Sequence, residues 1–110
     1  MVDKISKIRV AVVDDHTLLR NALCKLIDSF DQFFAYFQAE NGEDLKEKIR
    51  KKMIPDIILL DVNMPGMNGF ETAEWLYKNY PQIKVLALSM YSDENTIIRM
   101  LKMGAKGYIM

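Results

Sequence analysis

Ile8-Arg9-Val10-Ala11-Val12-Val13-Asp14-Asp15 decides the fold. Its first six residues are nearly continuously apolar and mostly β-branched, which suits a strand buried on both faces. Two aspartates then end it. Next, Leu18, Leu19, Ala22, Leu23, Leu26, Ile27 and Phe30 recur at helical spacing. The same alternation continues along the chain. Phe33 to Ala39 reads as a second strand, although its aromatics equally suit a cap on the first helix. Asn41-Gly42 is a turn. Glu43 to about Lys52 is a charged helix with a thin stripe of Leu45, Ile49 and Met53, stopped by Pro55. Ile57 to Leu60 is a third buried strand ending at Asp61. The loop Asn63 to Gly69 holds two glycines and a proline in seven residues. Phe70 to Asn79 is a helix with Phe70, Ala73, Leu76 and Tyr77 on its inner side, and Pro81 marks its end. Val85 to Leu88 is a fourth strand. Ser92, Asp93 and Asn95 are helix-cap residues for a helix through Met103, closed by Gly104 as a C′ residue. Gly107 to Met110 starts a fifth strand.

Strand and helix alternating in this way imply a parallel sheet with right-handed crossovers and helices on both faces. The alternation establishes an α/β sheet and leaves its strand order open. A chain of 110 residues is one domain, with no repeat or linker. With 50% hydrophobic and 27% charged residues, it is expected to fold as a soluble globule. Fifteen basic residues balance fifteen acidic ones, which argues against direct nucleic-acid or membrane binding by this segment. One cysteine, Cys24, excludes an internal disulfide and a thiolate zinc site. No apolar run reaches the roughly 20 residues of a membrane span, and the short run Val10 to Val13 is no signal peptide. A cytoplasmic location is the expectation.

Ligands of such sheets bind outside the carboxyl ends of the strands. Strand one ends in Asp14-Asp15, strand three in Asp61 and strand four in Ser89. Crowded carboxylates repel by roughly 1 to 4 kcal/mol per close pair, unless one keeps its proton or a hard cation sits between them. Oxygen ligands with open positions suit Mg²⁺. A carboxylate beside that ion can attack phosphorus and form an aspartyl phosphate. The bland alternative is that each acid is a helix cap following a strand. It serves for one acid and strains for three.

Four blocks now resemble one family. They are Val12-Val13-Asp14-Asp15-His16, the run Leu60-Asp61-Val62-Asn63-Met64-Pro65-Gly66-Met67-Asn68-Gly69, Leu88-Ser89, and Gly104-Ala105-Lys106-Gly107-Tyr108. In order and spacing they resemble the response-regulator receiver domain of two-component signalling, from about residue 7 to the last. The opening and closing blocks look most like the subfamily carrying a helix-turn-helix DNA-binding output domain. The resemblance implies a flavodoxin-like fold with parallel strand order 2-1-3-4-5. It implies that Asp61 is the phosphoacceptor. Asp15 would bind Mg²⁺ with Asp61, Asp14 would assist, and the backbone carbonyl of Asn63 would be the third protein ligand. Ser89 corresponds to the switch hydroxyl and Tyr108 to the switch aromatic. Asn63 and Tyr91, two places after the acceptor and the hydroxyl, are expected to flank attacking water and tune the phosphoryl lifetime.

The family's lysine at the end of strand five falls, by register, on the residue after Met110. The expectation is therefore a receiver domain over 1–110, shortened at its C-terminus and lacking the final helix and output domain. Its donor would be a sensor histidine kinase or a phosphohistidine carrier, with small phosphoryl donors as substitutes. Its output face would be helix four, where Ile98 and Met100 are candidates for exposure, and strand five, with homodimerisation there. It would not be an enzyme beyond assisting its own phosphorylation and dephosphorylation. The alternative is a pseudo-receiver, an interaction module without phosphoryl switching. The missing lysine favours it, and the intact acidic triad opposes it. A phosphatase on a similar sheet wants a second acid where Asn63 stands. A flavin site is opposed by Asp14-Asp15, which repel phosphate.

Other residues take plainer roles. His16 is expected to be a solvent-facing residue of the first turn, and Cys24 to be structural. Met90, Met100, Met103 and Met110 read as core fillers. Met64 and Met67 belong to the loop after Asp61. Lys46 to Lys52 is a solvated helix face. Trp75 is expected to be partly buried.

Overall fold

A computed structural model describes residues 7–61 and 69–88, together with the strand at 107–109. The elements run β1 (Ile8–Val13), α1 (Thr17–Asp28), β2 (Phe33–Ala39), α2 (Gly42–Arg50), β3 (Ile57–Asp61), α3 (Gly69–Asn79), β4 (Lys84–Leu88) and β5 (Gly107–Ile109). The sheet is parallel throughout, in the order β2-β1-β3-β4-β5. The expected helix from Asp93 to Met103, with its caps and Gly104, lies outside the described residues.

One face of the sheet carries the main core. Ala11 and Val13 of β1, Ile58 and Leu60 of β3, and Val85 and Ala87 of β4 meet Leu45 and Ile49 of α2 and Ala73 and Leu76 of α3. Leu45, Leu60 and Leu76 are fully buried at 0% exposure. Burying each such side chain contributes about 1.5 to 3 kcal/mol over leaving it in water. Trp75 is half-buried against this core, as its place on α3 led us to expect. Tyr77, expected on the inner side, is 55% exposed. It follows the buried Leu76 by one residue, so the helical turn of about 100° carries it off the core.

The other face is covered less completely. Val10 and Val12 are buried, but α1 contributes no buried residue. Leu23, Cys24 and Ile27 are half-buried there, whereas Leu18, Leu19, Leu26 and Phe30 are exposed. The apolar periodicity correctly marks a helix; whether a stripe is covered depends on what packs over it. Burial pushes the Cys24 thiol up, in keeping with a structural role.

α2 shows how local sequence sets an element. Asn41 caps it, its Oδ1 accepting from the Asp44 amide at 2.8 Å. Glu43 and Asp44 occupy its first turn and Lys48 and Arg50 its last, as the helix dipole favours. Lys48 Nζ reaches both Asp44 carboxylate oxygens at 2.9 Å. The helix ends before Lys52 and well before Pro55. Lys52 donates to the Ile49 carbonyl and Met53 to that of Lys48, with Lys52 at φ +67°. That is a Schellman ending with lysine where glycine is usual. The basic run is a solvated face as expected, except that Lys46 lies 5.0 Å over the Trp75 ring.

β2, an edge strand, contains a bulge. Val10 pairs with Ala35 and Ala11 with Phe37, so Tyr36 is an extra residue. Beyond it, Phe37 and Ala39 join the main core, and Gln38 faces α1, where its Nε2 donates to Asn21 at 3.1 Å. At the opposite end of the sheet, Asp56 ties three strands. Its amide donates to the Arg9 carbonyl at 2.9 Å, its carboxylate accepts from the Arg9 amide at 2.8 Å, and its carbonyl accepts from Lys84 at 3.0 Å.

Candidate functional site

The strand ends bring the predicted acids together. Asp14 follows β1 directly and is 2% exposed; Asp61 closes β3 and is 8% exposed. The Asp15 side chain is more open, at 33%. One ligand atom each from Asp14, Asp15, His16 and Asp61 lies within 4.8 Å of the others. Carboxylates gathered this closely favour a cation among them. The hydrogen-bonding pattern argues against simple helix capping. The first residue of α3 is Gly69, so Asp61 lies too far upstream to cap it. The N-cap of α1 is His16, which makes no side-chain cap. Asp14 Oδ1 instead accepts from the His16 amide at 2.9 Å.

His16 faces solvent as expected, but it also contacts the acids. Its ring is exposed, yet Nδ1 stands 2.9 Å from Asp14 Oδ1 and 3.1 Å from Asp15 Oδ1. The hydrogen bond to Asp14 and the charge of Asp15 hold the imidazole pKa above its ordinary value. Spacing showed that His16 follows the acids, but not that its ring folds back over them.

A supporting bracket also escaped the sequence reading. Arg20, one turn into α1, donates from Nη1 to the Asp14 main-chain carbonyl at 2.7 Å and from Nε to Gln38 Oε1 at 3.0 Å. The Asp14 amide in turn donates to the Ala39 carbonyl at 3.1 Å. A cation among the apolar positions of α1 was a usable signal for Arg20. Nothing local pointed to Gln38, because its partner comes from another element.

Asn63, Ser89 and Tyr91 lie outside the described residues. Tyr108 lies in β5, where its backbone pairs with Ala87. The donors in view, three carboxylates and an imidazole, fit a divalent cation by their chemistry.

Comparison with known proteins agrees with this architecture. The family model described as the response regulator receiver domain matches residues 10–110. The chain is 38% identical over 105 residues to the transcriptional regulatory protein DegU of Brevibacillus brevis, spanning 96% of this chain and 44% of that protein. It is 36% identical over 101 residues to the nitrate/nitrite response regulator NarL of Escherichia coli, spanning 92% and 46%. The chain thus spans just under half the length of these relatives. Among solved structures, the response regulator domain of Thermotoga maritima CheB superposes with TM-score 0.82 at 33% identity, covering 94% of this chain and 77% of that one. The receiver domain of a Mycobacterium tuberculosis NarL does so with TM-score 0.87 at 30%, covering 94% and 83%. The chain belongs to the response regulator receiver domain family, the flavodoxin-like receivers of two-component systems. Among the described residues, no helix is long and apolar enough to cross a membrane.

Proposed function

We propose that this chain accepts a phosphoryl group on Asp61 from a phosphohistidine and uses it to switch an output, the control of transcription. The observation that carries the reading is the convergence of Asp14, Asp15 and Asp61 at the ends of β1 and β3 in a member of this family. A solved relative, the CheX–CheY complex of Borrelia burgdorferi, is described with BeF3 and Mg²⁺; it is 25% identical with TM-score 0.83, covering 93% of this chain and 76% of that one. DegU is named a transcriptional regulator. Both support the reading.

Asp15, Asp61 and the backbone carbonyl of Asn63 would hold Mg²⁺, with Asp14 assisting. Bound there, the ion offsets the charge of the carboxylates and the incoming phosphoryl oxygens. An Asp61 carboxylate oxygen attacks phosphorus. The O–P bond forms as the donor's N–P bond breaks, and its electron pair returns to the imidazole nitrogen. Burial of Asp61 keeps bulk water from competing. Ser89 then donates a hydrogen bond to a phosphoryl oxygen, and Tyr108 turns into the space it leaves. The switched face is the segment Asp93 to Met103 with β5. Asn63 and Tyr91 set how readily water reaches phosphorus. The chain is not a turnover enzyme, and its place is the cytoplasm, opposite a sensor kinase or phosphohistidine carrier. Homodimerisation at the switched face belongs to this reading.

The test is to add Mg²⁺ and acetyl phosphate and follow intact mass and Trp75 fluorescence. A gain of one phosphoryl group that Asp61→Asn abolishes supports the acceptor. No adduct in a chain that still binds Mg²⁺ would replace this reading with an interaction module that does not switch.

A further inference from the structure

His16 is placed to do more than begin a helix. Its backbone amide is fastened to Asp14 Oδ1, and its ring nitrogen returns to the same oxygen at 2.9 Å and to Asp15 Oδ1 at 3.1 Å. Around a six-coordinate ion with bonds of about 2.1 Å, neighbouring ligand atoms stand about 3.0 Å apart and opposite ones about 4.2 Å. His16 Nδ1, at 2.9 Å from Asp14 and 3.1 Å from Asp15, stands at the neighbouring-ligand distance. The four ligand atoms of Asp14, Asp15, His16 and Asp61, all within 4.8 Å of one another, would draw in slightly around an ion. Three carboxylates alone attract a hard cation with little regard to its identity. An imidazole added to them discriminates, because Co²⁺ and Zn²⁺ take nitrogen well and Mg²⁺ holds to oxygen.

We propose that His16 is a nitrogen ligand of this pocket and biases it toward imidazole-accepting divalent ions, Co²⁺ and Zn²⁺, relative to Mg²⁺. This rests on reading the acidic pocket as a cation site. The ring is 66% exposed, so it can stand aside for Mg²⁺ without disturbing the core. Two-carboxylate coordination then serves the hard ion, while the ring completes the softer set.

The experiment uses the full chain at about pH 8, above the ordinary imidazole pKa, which the two acids raise. Mg²⁺, Co²⁺ and Zn²⁺ are titrated into the wild type, His16→Ala, His16→Gln and Asp15→Asn. We expect His16→Ala and His16→Gln to lose tenfold or more in Co²⁺ and Zn²⁺ affinity, and less than threefold for Mg²⁺. Because the chain has one histidine, its imidazole NMR signals report directly. They should shift on binding Zn²⁺ far more than on binding Mg²⁺, a readout that needs no variant to fold. Equal losses for all three ions, no loss, or unmoved imidazole signals with Zn²⁺ bound would overturn the ligand role. If Asp15→Asn still weakens all three ions in that case, the cation site stands and His16 alone is excluded from it. If no ion binds the wild type, both readings fail together.

Discussion

The Arg20 guanidinium donates to the Asp14 main-chain carbonyl at 2.7 Å, so a residue on α1 fixes where a carboxylate after β1 begins. Its Nε is held by Gln38 of β2 at 3.0 Å, and the bracket therefore spans three elements. Among the described residues the side-chain hydrogen bonds of Arg20 go to that carbonyl and to Gln38, which makes it a positioning residue. Arg20→Ala should weaken Mg²⁺ binding about three- to tenfold, on the order of 1 kcal/mol, the net contribution of a typical hydrogen bond. Gln38→Ala should do less, because the carbonyl contact survives. Calorimetric Mg²⁺ titrations of the two variants check this, and unchanged affinity in Arg20→Ala would remove the bracket from the site.

The two sheet faces should respond differently to truncation. Leu60 is fully buried in the main core, and Leu60→Ala should cost about 2 to 5 kcal/mol. Leu18 is 86% exposed, and Leu18→Ala should stay within about 0.5 kcal/mol of wild type. Urea unfolding followed by Trp75 fluorescence measures both. A large loss for Leu18→Ala would mean that α1 is covered in solution.

How far the sequence could be read depends on which force set each feature. β1 and β2 begin and end where their apolar runs do, because a buried strand is bounded by its own hydrophobicity. Asp14, Asp15 and Asp61 were legible as a site, since a parallel sheet delivers its strand ends to one edge. The end of α2 was not. Its stop comes from carbonyl capping at Lys52, whereas Pro55 is merely the louder signal. The fold-back of His16 and the link from Arg20 to Gln38 were also hidden, because both depend on through-space approach between elements.

Lys52 sits in the left-handed region at φ +67°, where a β-carbon is unfavourable. Lys52→Gly relieves that conflict and keeps both Schellman hydrogen bonds. It should stabilise the chain by up to about 1 kcal/mol, the usual advantage of glycine in this conformation less its greater unfolded entropy. Lys52→Val should destabilise instead. Thermal melts of the two variants decide it; the same melting temperature for both would contradict the argument.

Asp56 gives the fold an acid-sensitive seam. Hydrogen bonds from the Arg9 amide and guanidinium hold its carboxyl below the usual carboxylate range. A lowered folded-state pKa means stability that is full above the unfolded value of about 3.9 and lost as pH falls through the folded one. Both side chains are nearly half exposed, so solvent screening keeps the contribution below about 1 kcal/mol. Asp56→Asn should be less stable than wild type near neutrality, and the difference should shrink below about pH 4. Urea midpoints across that range test it. A gap independent of pH would assign the loss to packing.

The bulge at Tyr36 gives β2 one residue more than β1 requires. Removing Tyr36 leaves Ala35 opposite Val10 and Phe37 opposite Ala11, so the remaining residues alternate between the faces without interruption. Phe37 and Ala39 still point to the core and Gln38 still meets Arg20. A one-residue deletion, ordinarily a frame error for a strand, should here be silent at the acidic site: the deletion variant should bind Mg²⁺ like wild type, while deletion of Gln38, which removes the partner of Arg20, should not. The outermost strand thus works as a length buffer, able to take up an inserted residue without passing the shift on to the chemistry at its end.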